Sequence, residues 1–183
     1  MKGFERNDRW ISLCGLNCGL CSMKIGGYCP GCGGGEGNQG CSIARCAMGR
    51  GCTEYCWECE LFPCAKYDGI DKYDSFSTHK NQLTDIEKFK RIGAQAYHAE
   101  QRDKAELLQM LLADYNDGRK KTLFCAAVNL LEPDALKTAL NTTESGAGFE
   151  ELSQKEKSAR VAEALQSAAK RSGVELKLRK KSK

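Results

Sequence analysis

The stretch from residue 14 to residue 64 reads CGLNCGLCSMKIGGYCPGCGGGEGNQGCSIARCAMGRGCTEYCWECELFPC, and it contains eleven of the chain's twelve cysteines. A segment of this length, rich in glycine, is too small to build a hydrophobic core of its own. Its sulfurs are therefore expected to hold it together, either as disulfides or as metal ligands. The glycines predict turns and irregular structure here, without long helices or strands.

Metal binding is favoured over disulfides by the residues that precede the cysteines. Residues 1–13, MKGFERNDRWISL, have no apolar signal-peptide core and carry several charged side chains. Without a secretion signal the chain is expected to be cytoplasmic, where thiols stay reduced and closely spaced cysteines act as metal ligands. A disulfide framework is the weaker alternative.

The cysteine spacing is typical of zinc. Cys18/Cys21 and Cys29/Cys32 are two Cys-x2-Cys pairs, and two such pairs can direct four sulfurs at one tetrahedral ion. The second pair lies in the sequence CPGCG, whose proline and glycines favour a tight metal knuckle. A second site, whose choice of ligands stays open, can be drawn from Cys41, Cys46, Cys56, Cys59 and Cys64.

An iron–sulfur cluster is the main alternative to zinc. Two triplets share the spacing Cys-x3-Cys-x2-Cys, at residues 14–21 and 52–59, and they resemble an internal repeat. Three cysteines with a remote fourth can hold a [4Fe-4S] cluster, and Cys29-Pro30 resembles the dipeptide that often supplies the fourth ligand.

The composition says little about partners. The formal net charge is +4 with thiols counted as neutral. A zinc ion held by four thiolates carries about −2, so two such sites would cancel that charge. We expect an interaction or accessory protein with structural zinc and a protein partner. The first alternative is an iron–sulfur redox protein or a component of an anaerobic enzyme system, and the second is a zinc-dependent nucleic-acid binder. Tyr55 and Trp57 are expected to shield a metal site and not to stack on bases. No run approaches the roughly 18 apolar residues of a membrane span, so no membrane partner is expected.

The chain changes character at residue 84, where helical patterns begin. Thr84 and Glu87 form a capping-box pattern, and Gly93 is expected to break the helix that follows. A second capping box begins at Ser153. The sequence thus predicts a small irregular cysteine-rich metal-binding module followed by a mainly α-helical unit. The predicted parts are a module over 1–65, a connector over 66–83, and a helical unit over 84–183 that ends in a short strand at 174–178 and a solvated basic tail at 179–183.

Four strings of this sequence resemble a family of small cysteine-rich proteins of anaerobic bacteria and archaea that carry a domain of unknown function. The strings are CGLNCGLCSMKIGGYCPGC at 14–32, CSIARCAMGRG at 41–51, CWECELFPCAKY at 56–67 and YNDGRKKTLFCAAVNLL at 115–131. The resemblance implies a metal-binding protein, with zinc as the metal, and names no activity. Cys52 has no counterpart in the family pattern, which weakens the apparent triplet repeat. The resemblance implies as metal ligands Cys14, Cys18, Cys21, Cys29, Cys32, Cys41, Cys46, Cys56, Cys59 and Cys64.

Other candidate residues have plain structural explanations. Cys125 lies in the apolar run LFCAAV and is expected to be a buried core residue. The basic cluster Arg119, Lys120 and Lys121 is a possible anion-binding site at a helix start, although a solvated interhelical turn explains it as well. His98 is expected to be a partly exposed surface residue. No Ser/His/Asp set, phosphate-binding loop or dinucleotide motif appears, and the sequence leaves open whether the protein is an enzyme.

Overall fold

A computed structural model of the protein describes residues 2–35, 40–51 and 54–181. Within these residues the fold is mainly helical and has no β-strand, and three short 3-10 turns (Cys18–Leu20, Cys56–Glu58 and Ala65–Tyr67) lie in the irregular N-terminal region. The prediction of an irregular segment followed by helices is confirmed at this level. The α-helices are α1 (Ser22–Ile25), α2 (Ser42–Arg50), α3 (Gln82–Asp114), α4 (Lys121–Leu130), α5 (Pro133–Glu144) and α6 (Gln154–Arg171).

The chain divides into two compact units. The N-terminal unit comprises Met1–Gln101 together with Arg179–Lys183, and the C-terminal unit comprises Arg102–Leu178. Residues 66–101 therefore belong to the same compact unit as the cysteine-rich segment. The composition of the sequence instead predicts boundaries at residues 65 and 83.

The N-terminal unit has an apolar core that the cysteine-rich segment does not supply alone. Phe4 comes from the lead-in, Ile86 from α3, and Ile43 from α2 within the segment. Because residues before and after the segment complete this core, the cysteines are not its only means of stabilisation. The buried core residues are Phe4, Leu13, Ile43, Ala44, Ala47, Tyr67 and Ile86.

Helix α3 is broken at Gly93, as the sequence predicts. Gly93 has φ +80° and ψ 161°, which no helical residue adopts. The start of the helix differs from the prediction, because α3 begins at Gln82 and Thr84 lies inside its first turn. There the Thr84 hydroxyl donates to the carbonyl of Asn81 at 2.9 Å. Thr84 is therefore not the N-cap, and the capping box predicted at this position is wrong.

The C-terminal unit is built as local signals predict. Helix α5 has Pro133 at its first turn, and α6 is capped by Ser153, whose backbone N–H donates to Glu156 Oε2 at 2.9 Å. Helix α6 packs against both α4 and α5. The buried side chains of these three helices include Phe124, Val128, Leu136, Leu140, Val161 and Leu165.

The predicted C-terminal strand is wrong. Residues 174–178 alternate apolar and polar side chains but lie in irregular structure. A strand needs a neighbouring strand to pair its backbone groups, and the described parts of the chain offer none. Alternating apolar and polar residues are therefore not sufficient to predict a strand here.

The prediction of a solvated basic tail is also wrong for its first residue, Arg179. The Arg179 backbone N–H donates to Asp74 Oδ2 at 2.6 Å, and its guanidinium donates to Asp74 Oδ1 at 3.1 Å and to the carbonyl of Asp71 at 2.5 Å. The carboxylate of Asp74 is fully buried. A buried carboxylate needs charged partners, so Arg179 is drawn into the N-terminal unit.

We expect Asp74→Asn to lower the free energy of unfolding by about 1–3 kcal/mol, because it removes charge-assisted hydrogen bonds from a buried group. Burial alone would raise the pKa of Asp74, but hydrogen bonds from Arg179 and His79 outweigh it and hold the pKa at about 2. The contribution of Asp74 is therefore present above pH 4 and is lost as the pH falls toward 2.

Urea denaturation at pH 7 and at pH 2.5 measures both effects. Asp68→Asn is the control, since Asp68 is exposed. Equal stability of the two variants at pH 7 would contradict the prediction.

Candidate metal centre

The two Cys-x2-Cys sequences of the triplets adopt the same local structure. In each, the N–H of the second cysteine donates to the carbonyl of the first across a 3-10 turn, at 3.1 Å from Cys21 to Cys18 and at 3.2 Å from Cys59 to Cys56. The backbone angles also agree, with φ/ψ of −85°/128° at Cys21 and −75°/134° at Cys59. The repeat in spacing is thus a repeat in structure over these pairs. Cys52 lies outside the described residues.

The first set of thiols is Cys14, Cys18, Cys21 and Cys32, here called the N-terminal cysteine group. Burial is the main cause that raises the pKa of Cys18 to about 12, and the neighbouring Cys32, Cys14 and Cys21 contribute in the same direction. The backbone N–H of Cys32 donates to the Cys18 sulfur and has the opposite effect. Burial is likewise the main cause that raises the pKa of Cys14 to about 11, although the Ser12 hydroxyl, 3.2 Å from the sulfur, acts in the opposite direction. The four partly buried thiols are therefore electrostatic neighbours.

The first part of α3 positions this loop. Gln82 Nε2 donates to the Cys14 carbonyl at 2.8 Å, and Asn17 Nδ2 donates to Asp85 Oδ2 at 2.7 Å. The Tyr97 hydroxyl donates to Asn17 Oδ1 at 2.7 Å. The sequence analysis missed these four residues, since their partners lie far along the chain. The only local hint was a polar Asn17 between two cysteines.

A buried cation lies beside the same loop. Arg6 is 4% exposed, and its Nε and Nη1 donate to the carbonyls of Glu54 at 2.8 Å and Ile11 at 3.0 Å. Its Nη2 has no hydrogen-bond partner. Burial raises the pKa of Cys32, whereas the Arg6 guanidinium lowers it. A buried guanidinium with an unused donor favours an anionic sulfur nearby.

A second set of thiols lines a cavity of about 270 Å³. Cys46 comes from α2, Cys56 begins the second 3-10 turn and Cys59 follows it, and Cys64 precedes the third. We call these four the pocket cysteines. The other residues that line the cavity are Ile43, Ala47, Arg50, Leu61, Phe62, Ala65 and Lys66.

Tyr67 lies among sulfurs of both sets. The residue is 5% exposed, and its hydroxyl makes no hydrogen bond of ordinary geometry. Burial raises its pKa, and Cys56 raises it further, followed by Cys14 and Cys64. The Tyr67 hydroxyl is therefore a buried donor, and its polar neighbours are the thiols of these three cysteines.

Two further predicted ligands lie near the N-terminal cysteine group. Cys29 lies near Lys24: burial lowers the pKa of that ammonium, while Cys18 and Cys29 oppose the shift. Cys41 is exposed at the N-cap of α2, yet it is near enough to raise the pKa of both Cys14 and Cys32. Cys29 thus shares a cationic neighbour with Cys18, and Cys41 is an electrostatic neighbour of two members of the group.

Cysteine side chains are suitable ligands for a metal ion, but those that the structure describes are not arranged around a common point. Among the residues that the structure describes, no three His, Cys, Asp or Glu side chains are placed to hold a metal ion. None of the cysteines in these ranges forms a disulfide. The metal predicted from the sequence therefore stays a prediction.

The anion-binding site predicted at the start of α4 also stays a prediction. The backbone N–H groups of Arg119 and Lys120 donate to the side chains of Asp117 at 2.9 Å and Asn116 at 3.3 Å. The turn therefore uses two of the donors that an anion would need. Cys125 is 4% exposed, as expected of a core residue.

The two histidines have partners within the protein. His98 is partly exposed, as predicted, with 19% of its side chain accessible, and its Nε2 lies 2.8 Å from Asp8 Oδ2. The ring nitrogens of His79 hydrogen-bond with the Ile70 carbonyl at 3.2 Å and the Ser75 hydroxyl at 3.0 Å. Both rings serve to connect segments of the N-terminal unit.

Comparison with protein-family models, with curated proteins and with solved structures found no match to this chain. The family resemblance drawn from the sequence strings therefore stays a hypothesis. Over the described ranges, no helix combines the length and apolar character needed to cross a membrane.

Proposed function

We propose that the N-terminal unit is a cysteine-ligated metal module with zinc as its structural centre, and that the protein acts as an accessory or interaction protein. The observation that carries this proposal is the N-terminal cysteine group, four partly buried thiols that are electrostatic neighbours, with the buried Arg6 guanidinium beside Cys32. Four thiolates with tetrahedral access are the typical ligand set of structural zinc.

Charge balance supports this ligand set. A zinc ion with four thiolates carries about −2, and a buried charge of that size needs compensation from the protein. Arg6 supplies a buried positive charge near Cys32, and the backbone N–H of Cys32 points at the Cys18 sulfur. Such outer contacts stabilise thiolates and hold ligands in orientation.

Zinc binding is coupled to proton loss and to a local rearrangement in this proposal. The pKa values of Cys14 and Cys18 are raised by burial, so both thiols are protonated at neutral pH. Cys14 and Cys18 would hold the ion as thiolates, so binding would release their protons and would require the sulfurs to move closer together. The glycines between the cysteines give the loop the freedom to do so.

A protein partner fits the surface better than nucleic acid does. Tyr28, Leu61 and Phe76 are each more than half exposed in the N-terminal unit. Tyr55 and Trp57, the aromatics that could stack on bases, instead stack on each other with centroids 4.6 Å apart, and Trp57 also contacts Phe89. This arrangement supports shielding of the cysteines over base recognition.

The test is zinc content per chain in protein purified without oxygen. We expect Cys18→Ser and Cys32→Ser each to lose one zinc ion per chain, because each removes a ligand of the same site. Cys125→Ala is the matched control: it also removes a buried thiol, but one in the C-terminal unit, and should keep full zinc content. Unchanged zinc in both serine variants would refute the proposal.

A further inference from the structure

The cavity lined by the pocket cysteines is larger than one metal ion requires. Its volume is about 270 Å³, several times the ~30 Å³ that a water molecule occupies in the liquid. A 4Fe-4S cluster places its four ligand sulfurs around an inorganic core of eight atoms. The pocket cysteines line a volume with room for such a core.

We propose that Cys46, Cys56, Cys59 and Cys64 bind an iron–sulfur cluster of the 4Fe-4S type. In such a cluster each of the four irons takes one thiolate, so the ligands surround the cluster and do not meet at one point. This inference rests on the proposed metal-binding function of the N-terminal unit and adds a second centre of different chemistry.

The lining of the cavity matches the charge and solvation of such a cluster. With four thiolates, the oxidised cluster carries about −2. Arg50 and Lys66 line the cavity and supply two positive charges. Ile43 and Phe62 contribute apolar wall beside the cysteines, which lowers the polarity around the inorganic core.

Tyr67 is the positioning residue of this centre. Its hydroxyl is buried, and its hydrogen bond with Cys56 is the largest effect on its pKa after burial. With Cys56 as a cluster ligand, the hydroxyl would donate to a ligand thiolate. Hydrogen bonds to the sulfurs of an iron–sulfur cluster are among the factors that set its reduction potential.

The first experiment measures iron, acid-labile sulfide and zinc per chain after reconstitution of the full chain with ferrous iron and sulfide under argon. We expect about four irons and four sulfides together with zinc in the N-terminal cysteine group. Cys59→Ser should lose the iron and its visible absorbance and keep the zinc, whereas Cys18→Ser should lose zinc and keep iron. Zinc bound in both groups with no iron would overturn this inference alone. Loss of neither metal in Cys18→Ser would instead count against the proposed zinc site.

A cavity-filling variant tests the volume argument without removing a thiol. Ala65 is exposed and lines the cavity, so Ala65→Phe should occupy the space without disturbing the core. We expect it to lower iron content at least fivefold and leave zinc unchanged. Ala96→Phe, at an exposed position of α3 that does not line the cavity, should keep both metals. Full iron in Ala65→Phe would overturn the assignment of the cluster to this cavity.

The role of Tyr67 has its own readout. Tyr67→Phe keeps the ring and removes the donor, so it should retain the iron and shift the reduction potential of the cluster to a more negative value. An unchanged potential would show that the hydroxyl does not reach a cluster ligand.

Discussion

Removing the metal with a strong chelator should abolish ordered structure around residues 14–32 and leave the C-terminal helices folded. Zinc contributes on the order of 10–16 kcal/mol of binding free energy in small domains, which is comparable to the entire stability of an ordinary domain. The loop itself buries few large apolar side chains, and the hydrogen bonds that connect it to α3 are few beside the binding free energy of the metal. The C-terminal unit has its own buried residues, among them Phe124, Leu136 and Leu165, and does not depend on the metal.

The measurement combines two probes on one metal-free sample, verified by elemental analysis. Amide NMR signals from residues 14–32 should disappear, while far-UV circular dichroism should retain the helicity of α4, α5 and α6. Adding zinc back is the control, because it should restore the lost signals without a change in covalent structure. Persistence of the loop signals in the metal-free sample would show that the apolar core of the N-terminal unit is sufficient.

Local signals in the sequence located most helix ends correctly. Gly93 breaks α3, Pro133 begins α5 and Ser153 caps α6, each through backbone chemistry that acts within one turn. Thr84 failed as a cap because the preceding residues were able to start the helix earlier. The alternating residues at 174–178 failed because a strand depends on a partner that the segment itself does not reveal.

The types of residue in the candidate site could be predicted from the sequence, but not which of the cysteines lie near one another. Spacing identified the cysteines, yet the association of Cys14 with Cys18 and Cys32 depends on contacts far apart along the chain. Asn17 reaches Asp85 and Tyr97, which lie 68 and 80 residues away. No periodicity or motif encodes such pairs, so the role of α3 in holding the cysteine loop emerges only from the structure.

Gly33→Ala should be among the most destabilising single substitutions in the N-terminal unit. Gly33 has φ +77°, and a Cβ atom there would lie 2.8 Å from the backbone nitrogen of Arg6 and 2.7 Å from its Cβ. Arg6 N also donates to the Gly33 carbonyl at 3.2 Å, so the two backbones are already in close contact. The alanine must push Arg6 away and with it the buried guanidinium beside Cys32.

Two costs add in this variant. A non-glycine residue in the left-handed region costs about 1–2 kcal/mol, and each lost hydrogen bond from a buried charged group costs about 1.5–3 kcal/mol. We therefore expect Gly33→Ala to lower the free energy of unfolding by about 3–5 kcal/mol. Gly27→Ala is the matched control, because Gly27 has φ +74° and no atom within 4 Å of its added Cβ. It should cost only the backbone term of about 1–2 kcal/mol.

Urea denaturation of the two variants, each loaded with zinc, measures the difference. The excess cost of Gly33→Ala over Gly27→Ala reports the contact with Arg6 alone, since the backbone strain is the same in both. A weaker zinc affinity in Gly33→Ala, with the affinity of Gly27→Ala unchanged, is expected because displacing Arg6 removes the charge that compensates the thiolates. Equal stability and equal zinc affinity of the two variants would show that the approach of Arg6 to this loop matters neither to folding nor to the metal.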